Sequence, residues 1–122
     1  MNKTAEKQAL IDKIVEALQD VKGEDIMIFD LSNIENSVAE TFVICSGNSN
    51  TQVAALAGSV EKKVRNDLKD RPWHVEGAEN AMWVLVDYVS VVVHIFQKDV
   101  REYYDIEELW GDAVITRIEN EL

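Results

Sequence analysis

The stretch Asn80–Phe96, N-A-M-W-V-L-V-D-Y-V-S-V-V-V-H-I-F, constrains the fold more than any other part of this chain. Two apolar, β-branched runs, Met82–Tyr88 and Val91–Phe96, stand almost back to back, and strands joined that closely pair only antiparallel, as a hairpin. Alternation places Trp83, Leu85 and Asp87 on one face and Met82, Val84, Val86 and Tyr88 on the other. The second run is apolar at every position but His94, which reads as a central strand covered on both sides. The joint at Val89-Ser90 lacks the glycine or asparagine that tight hairpin turns favour.

The remaining segments supply layers for that hairpin. Over residues 5–21, Leu10, Ile14, Leu18 and Val21, with Ile11 and Val15 alongside, form one apolar stripe of a helix that Lys22-Gly23 stops. Ile26–Phe29 reads as a short strand and Asp30–Ser37 as a turn, with Ser32, Asn33 and Asn36 offering local bonds to the backbone. Thr41–Cys45 reads as a second strand, broken by Ser46–Asn50. A long helix follows, opened by a Ser49/Gln52 capping box, carried by Val53, Leu56, Ala57, Val60, Val64 and Leu68, and closed by Lys69–Pro72. Trp73–Val75 is a candidate short strand; Val100–Tyr104 and Ile106–Trp110 are candidate short helices; Val114–Ile118 is left unassigned. A long helix between strands predicts an α/β domain, a mixed β-sheet layered with helices.

At 122 residues the chain is read as one domain, 1–122, with 114–122 as a flexible tail. No run approaches the roughly 18 apolar residues of a membrane span, and the N-terminus lacks the apolar core of a secretion signal, so a cytoplasmic protein is expected. Cys45 is the only cysteine and cannot form an internal disulfide. The formal net charge is −11, and residues 99–122 carry eight acids against two arginines. Such a field disfavours direct nucleic-acid contact and favours a basic protein partner.

Candidate chemistry is thin. Gly47, between a strand and a helix, offers backbone amides to a phosphate, and S-G-N-S resembles the Gly-Ser turn of nucleotidyl transferases. Those enzymes add a carboxylate pair for Mg²⁺ on the next strand, where this chain has Asp87 alone. His74 and Glu76 are two potential metal ligands without a third. His94 reads first as a core histidine and Cys45 as a small buried hydrophobe. No catalytic residue, metal or cofactor is assigned. Trp83 stands apart, because its face is mixed. Partly exposed, it has the character of an interface anchor; the alternative is a core tryptophan. Tyr103, Tyr104 and Trp110 add aromatic groups amid acids, a composition suited to docking on a basic protein.

Four blocks, F-V-I-C-S-G-N-S (Phe42–Ser49), W-V-L-V-D-Y (Trp83–Tyr88), V-V-V-H-I-F (Val91–Phe96) and V-R-E-Y-Y-D-I-E-E-L-W-G-D (Val100–Asp112), closely resemble the ribosomal silencing factor, or Iojap, family. The resemblance runs from about residue 8 to 113. It implies an α/β domain shaped like nucleotidyl transferases without their catalysis. It also implies a non-enzymatic factor that binds the large ribosomal subunit through that subunit's protein fourteen, blocks joining of the small subunit and represses translation. The family's interface tryptophan matches Trp83, and the resemblance extends the partner-binding set to Asp87, Tyr88, Arg101, Tyr104 and Trp110. The chain departs from the family pattern at Val89-Ser90, where Gly-Asp is common, and at Glu40-Thr41. The rival readings are a nucleotide-binding protein or enzyme of nucleotidyltransferase type, and an interaction module that forms a homodimer through an exposed sheet face.

Overall fold

The computed structural model describes residues 3–35, 37 and 39–119. In chain order it comprises α1 (Lys3–Asp20), β1 (Glu24–Asp30), β2 (Thr41–Gly47), α2 (Asn50–Leu68), β3 (His74–Glu76), β4 (Trp83–Asp87), β5 (Val91–Gln97), α3 (Lys98–Tyr104), α4 (Ile106–Leu109) and β6 (Val114–Arg117). The strands form one mixed sheet in the order β3-β4-β5-β2-β1-β6. β2 and β5 run parallel at its centre, and every other neighbouring pair is antiparallel. Both central strands are buried over nearly their whole length, as an apolar run closed in on two faces must be.

The two faces are covered unequally. On one, α1 and α2 lay Leu10, Ile14, Leu18, Val53, Leu56 and Val60 over Val43, Cys45, Val84, Val86, Val93 and Ile95. On the other, the described residues that roof Phe29, Phe42, Ile44, Val92 and Phe96 come from the short α3–α4 segment, from Leu31, Ile34 and Ala39, and from Ala113 and Ile115. Trp83, Leu85 and Trp110 remain half-buried at the rim of this thinner layer.

Helix ends follow their sequence signals with local changes of partner. The Ser49 hydroxyl accepts the Gln52 amide at 3.1 Å, while Gln52 reaches back to the Asn48 amide at 2.7 Å rather than to Ser49. Its amide nitrogen donates to the carbonyls of Val21 and Lys22, tying the start of α2 to the end of α1. After α1 the left-handed residue is Lys22, with φ 59°. Gly23 serves close packing instead, since a Cβ there would strike the Cys45 sulfur.

The hairpin is present as expected, with Trp83 opposite Phe96 and Asp87 opposite Val92. Its turn is a γ-turn in which the Ser90 amide donates to the Tyr88 carbonyl and Val89 sits at φ 75°. A β-branched side chain at positive φ is strained, the consequence of a turn without glycine. The Asp87 carboxylate offsets part of that strain by accepting the Val89 amide at 2.7 Å. Gly77, at φ 83° before β4, is the position where a side chain cannot enter, because its Cβ would collide with the Trp83 carbonyl.

Several boundaries differ from expectation. β2 continues through Ser46 and Gly47, held by parallel pairing with Phe96 and Gln97 of β5. β3 begins at His74, leaving Trp73 exposed. Met82 precedes β4 and is half exposed, so it does not join Val84, Val86 and Tyr88 on the covered face. Val114–Arg117 is an edge strand paired with Met27–Asp30, although most of its side chains face solvent. Asn36 and residues 120–122 of the expected tail lie outside the described residues.

Candidate functional surface

On the thinly roofed face, cross-strand pairing sets Trp83 beside Phe96 and Leu85 beside His94. The Trp83 indole stacks on Phe96 with centroids 4.7 Å apart, and its Nε1–H donates to His94 Nδ1 at 3.1 Å. Tyr104, at the end of α3, approaches the same indole at 5.1 Å. His94 meets Phe42 edge-on at 4.6 Å, and Phe42 meets Trp110 at 5.5 Å. One continuous aromatic cluster therefore joins Trp83, Tyr104 and Trp110 through Phe42, His94 and Phe96. Edge-to-face and offset-stacked pairs of this kind add about 0.5–1.5 kcal/mol each beyond their buried area.

The floor of the cluster is buried and its top is open. Phe42, His94 and Phe96 are inaccessible, whereas Tyr104 is 55% exposed and Tyr103, packed edge-on against it, is 81% exposed. Exposed Asp99, Glu102, Asp105 and Glu108 lie on the same α3–α4 segment as the tyrosines, with Glu102 and Asp105 bordering the cleft beside Arg101. Of the cations on the same segment, Arg101 is turned inward and Lys98 remains exposed. A partly exposed aromatic patch on an acidic segment has the composition of a protein-docking surface.

The residues singled out from the sequence divide into two groups. Trp83, Tyr104 and Trp110 share the aromatic cluster, and Asp87, at the far end of β4 opposite Val92, is half-buried and engaged with the hairpin turn. Tyr88 faces the opposite side of the sheet, buried among residues covered by α1 and α2. Burial, assisted by the charges of Glu61 and Asp70, pushes its hydroxyl pKa up. Arg101 is 6% exposed and acts as a clamp. Its Nε donates to Glu107 at 2.9 Å and its Nη1 to the Asp25 carbonyl and the Ser46 hydroxyl, pinning α3 to β1 and β2.

Phe42 carries no signal in the sequence and His94 reads there as a core histidine; both are buried, and both belong to the cluster. Burial lowers the His94 pKa to about 4, against a smaller opposing influence of Asp87, so the ring is neutral near pH 7. With Nδ1 accepting from the indole, the ring proton resides on Nε2.

The other candidate positions engage one another or the protein's own core. His74 and Glu76 pair at 2.7 Å on the exposed β3 strand. Cys45 is fully buried, and desolvation raises its thiol pKa to about 12, the opposite of an activated nucleophile. At the Gly47 turn, the amides of Asn48 and Gln52 are taken by the chain's own side chains. Among the described residues no group of three or more His, Cys, Asp and Glu is placed to hold a metal. A cleft of about 670 Å³ opens between α1, α2 and the hairpin turn, and a second of about 390 Å³ lies beside Arg101. Neither contains Cys45, His74 or His94.

The family model described as "Ribosomal silencing factor during starvation" matches residues 4–122. A protein of Halalkalibacterium halodurans named ribosomal silencing factor is 42% identical over 112 residues, 92% of this chain and 94% of that one. Its namesake in Bacillus subtilis is 42% identical over 104 residues, 84% of this chain and 86% of that one. A crystal structure of a protein from Chromobacterium violaceum superposes with a TM-score of 0.80 at 44% identity, covering 85% of each chain.

Proposed function

The chain belongs to the ribosomal silencing factor family, and we propose that it acts by laying the aromatic surface of β4 and α3 on a basic protein of the large ribosomal subunit. The partner implied by the family resemblance is protein fourteen of that subunit, at the surface where the small subunit joins. Occupation of that surface excludes the small subunit sterically and represses translation in the cytoplasm without chemistry. The observation that carries this reading is the half-buried Trp83, fixed on Phe96 and His94 and flanked by exposed Tyr104 on a segment rich in exposed carboxylates. A preorganised aromatic anchor loses little side-chain entropy on docking, and an acidic segment on a chain of net charge −11 suits a basic partner.

The test is co-sedimentation of the purified protein with isolated large subunits. Tyr104→Ala removes an exposed ring, and Trp83→Ala removes the anchor; each retains its fold by circular dichroism if its role is at the surface. Loss of the anchor should weaken binding roughly thirtyfold, the equivalent of about 2 kcal/mol. Folded variants that bind like the wild type would place the interface elsewhere. Isothermal titration with ATP, GTP or CTP and Mg²⁺ should give no heat, and a clear isotherm would support the nucleotide-binding rival instead.

A further inference from the structure

We infer that His94 is the positioning residue of this surface, holding the indole N–H of Trp83 inward so that a partner meets the indole's carbon atoms and not its N–H. The inference rests on the docking reading above. Trp83 is a half-buried tryptophan, a type whose N–H is often offered to a partner. Here the only polar atom of the indole is already committed, at 3.1 Å, to a nitrogen on the neighbouring strand. Phe96 supports the ring from one side at 4.7 Å and Tyr104 stands against it at 5.1 Å, so the hydrogen bond fixes the remaining freedom, rotation about the side-chain bonds.

His94 is itself well suited to hold a fixed position. It is 5% exposed, lies in the central strand β5 opposite Leu85, and is braced edge-on by Phe42. Its Nε2 has no hydrogen-bond partner among the described residues, so the contact with Trp83 is the one polar interaction described for its ring. With its N–H engaged, the indole has no donor left for a partner and offers only carbon and π surface, which favours an aliphatic side chain or a lysine or arginine over a hydrogen-bond acceptor. A basic ribosomal protein supplies such cations.

The experiment is a double-mutant cycle on binding to isolated large subunits. His94→Leu keeps the approximate volume and removes the acceptor; His94→Asn returns an acceptor near the position of Nδ1; Trp83→Phe keeps an aromatic ring without the N–H. His94→Leu should weaken binding about fivefold to tenfold, the equivalent of one hydrogen bond, and His94→Asn should recover most of it. In the Trp83→Phe background His94→Leu should have almost no further effect. In parallel, the Trp83 indole proton, assigned by its loss in Trp83→Phe, should exchange slowly with solvent in the wild type and faster in His94→Leu. Equal binding by folded His94→Leu, or an undiminished effect in the Trp83→Phe background, would overturn the inference while leaving the docking reading intact. Wild-type protein that ignores the subunits would overturn both.

Discussion

At the scale of single residues, His94 connects stability to pH. Burial holds its folded pKa at about 4, below the ordinary value of 6.5. Because the folded state resists protonation, the stabilisation is complete above about pH 6.5 and is lost as pH falls toward 4. Between pH 7.5 and 5.5 this one group should remove about 1 kcal/mol of folding free energy. Urea unfolding of the wild type beside His94→Leu measures it: the wild type should lose more stability than the variant over that interval, and parallel curves would show that His94 does not titrate as its burial requires. Trp83 shows how a residue's setting decides its use. The same indole in a fully covered strand would be core, and here the thin roof of α3–α4 leaves it half-buried within an aromatic cluster.

At the scale of elements, α3 and α4 depend on the contacts that hold them to the sheet. These helices have seven and four residues, too short to be stable alone, so their position depends on tertiary contacts. Arg101 supplies them through Glu107, the Asp25 carbonyl and the Ser46 hydroxyl, while Ile106 is buried beneath. Arg101→Met should cost about 2–4 kcal/mol, since it strips the buried Ser46 hydroxyl, the part-buried Asp25 carbonyl and the Glu107 carboxylate of a charged donor. Hydrogen exchange should localise the loss of protection to α3, α4 and the start of β1, and binding should fall because Tyr104 is no longer held against Trp83. Uniform loss across the sheet would contradict a local clamp. The elements also show what a sequence can disclose. β2, β5 and the hairpin were readable because buried strands leave unbroken apolar runs, and α1 and α2 because one face of each repeats at helical spacing. β6 was not, because a largely exposed edge strand has no apolar alternation to read. Among site residues, alternation alone already separated Tyr88 from Trp83; the resemblance grouped them, and the sheet sets them on opposite faces. Arg101 could be named but its inward turn could not, since its partners Asp25 and Ser46 are remote in sequence. His94 looked like any histidine in an apolar strand until cross-strand register brought Trp83 to its Nδ1.

At the scale of the whole molecule, the fold separates support from contact. Two long helices cover one side of the sheet, and the opposite side presents aromatic groups on a chain of net charge −11. Such a charge repels the phosphate backbone of ribosomal RNA and draws the surface toward basic protein. It also implies an association that weakens with ionic strength, because exposed charges are screened beyond roughly 8–10 Å at physiological salt. These properties suit a factor that competes for one protein-lined surface of the large subunit. The most direct measurement is a gradient profile of purified large and small subunits joined in the presence of increasing amounts of the protein. Joined particles should decline, the protein should sediment with free large subunits, and folded Trp83→Ala should lose both effects. Protein that travels on joined particles as readily as on free large subunits, leaving their number unchanged, would contradict steric exclusion of the small subunit.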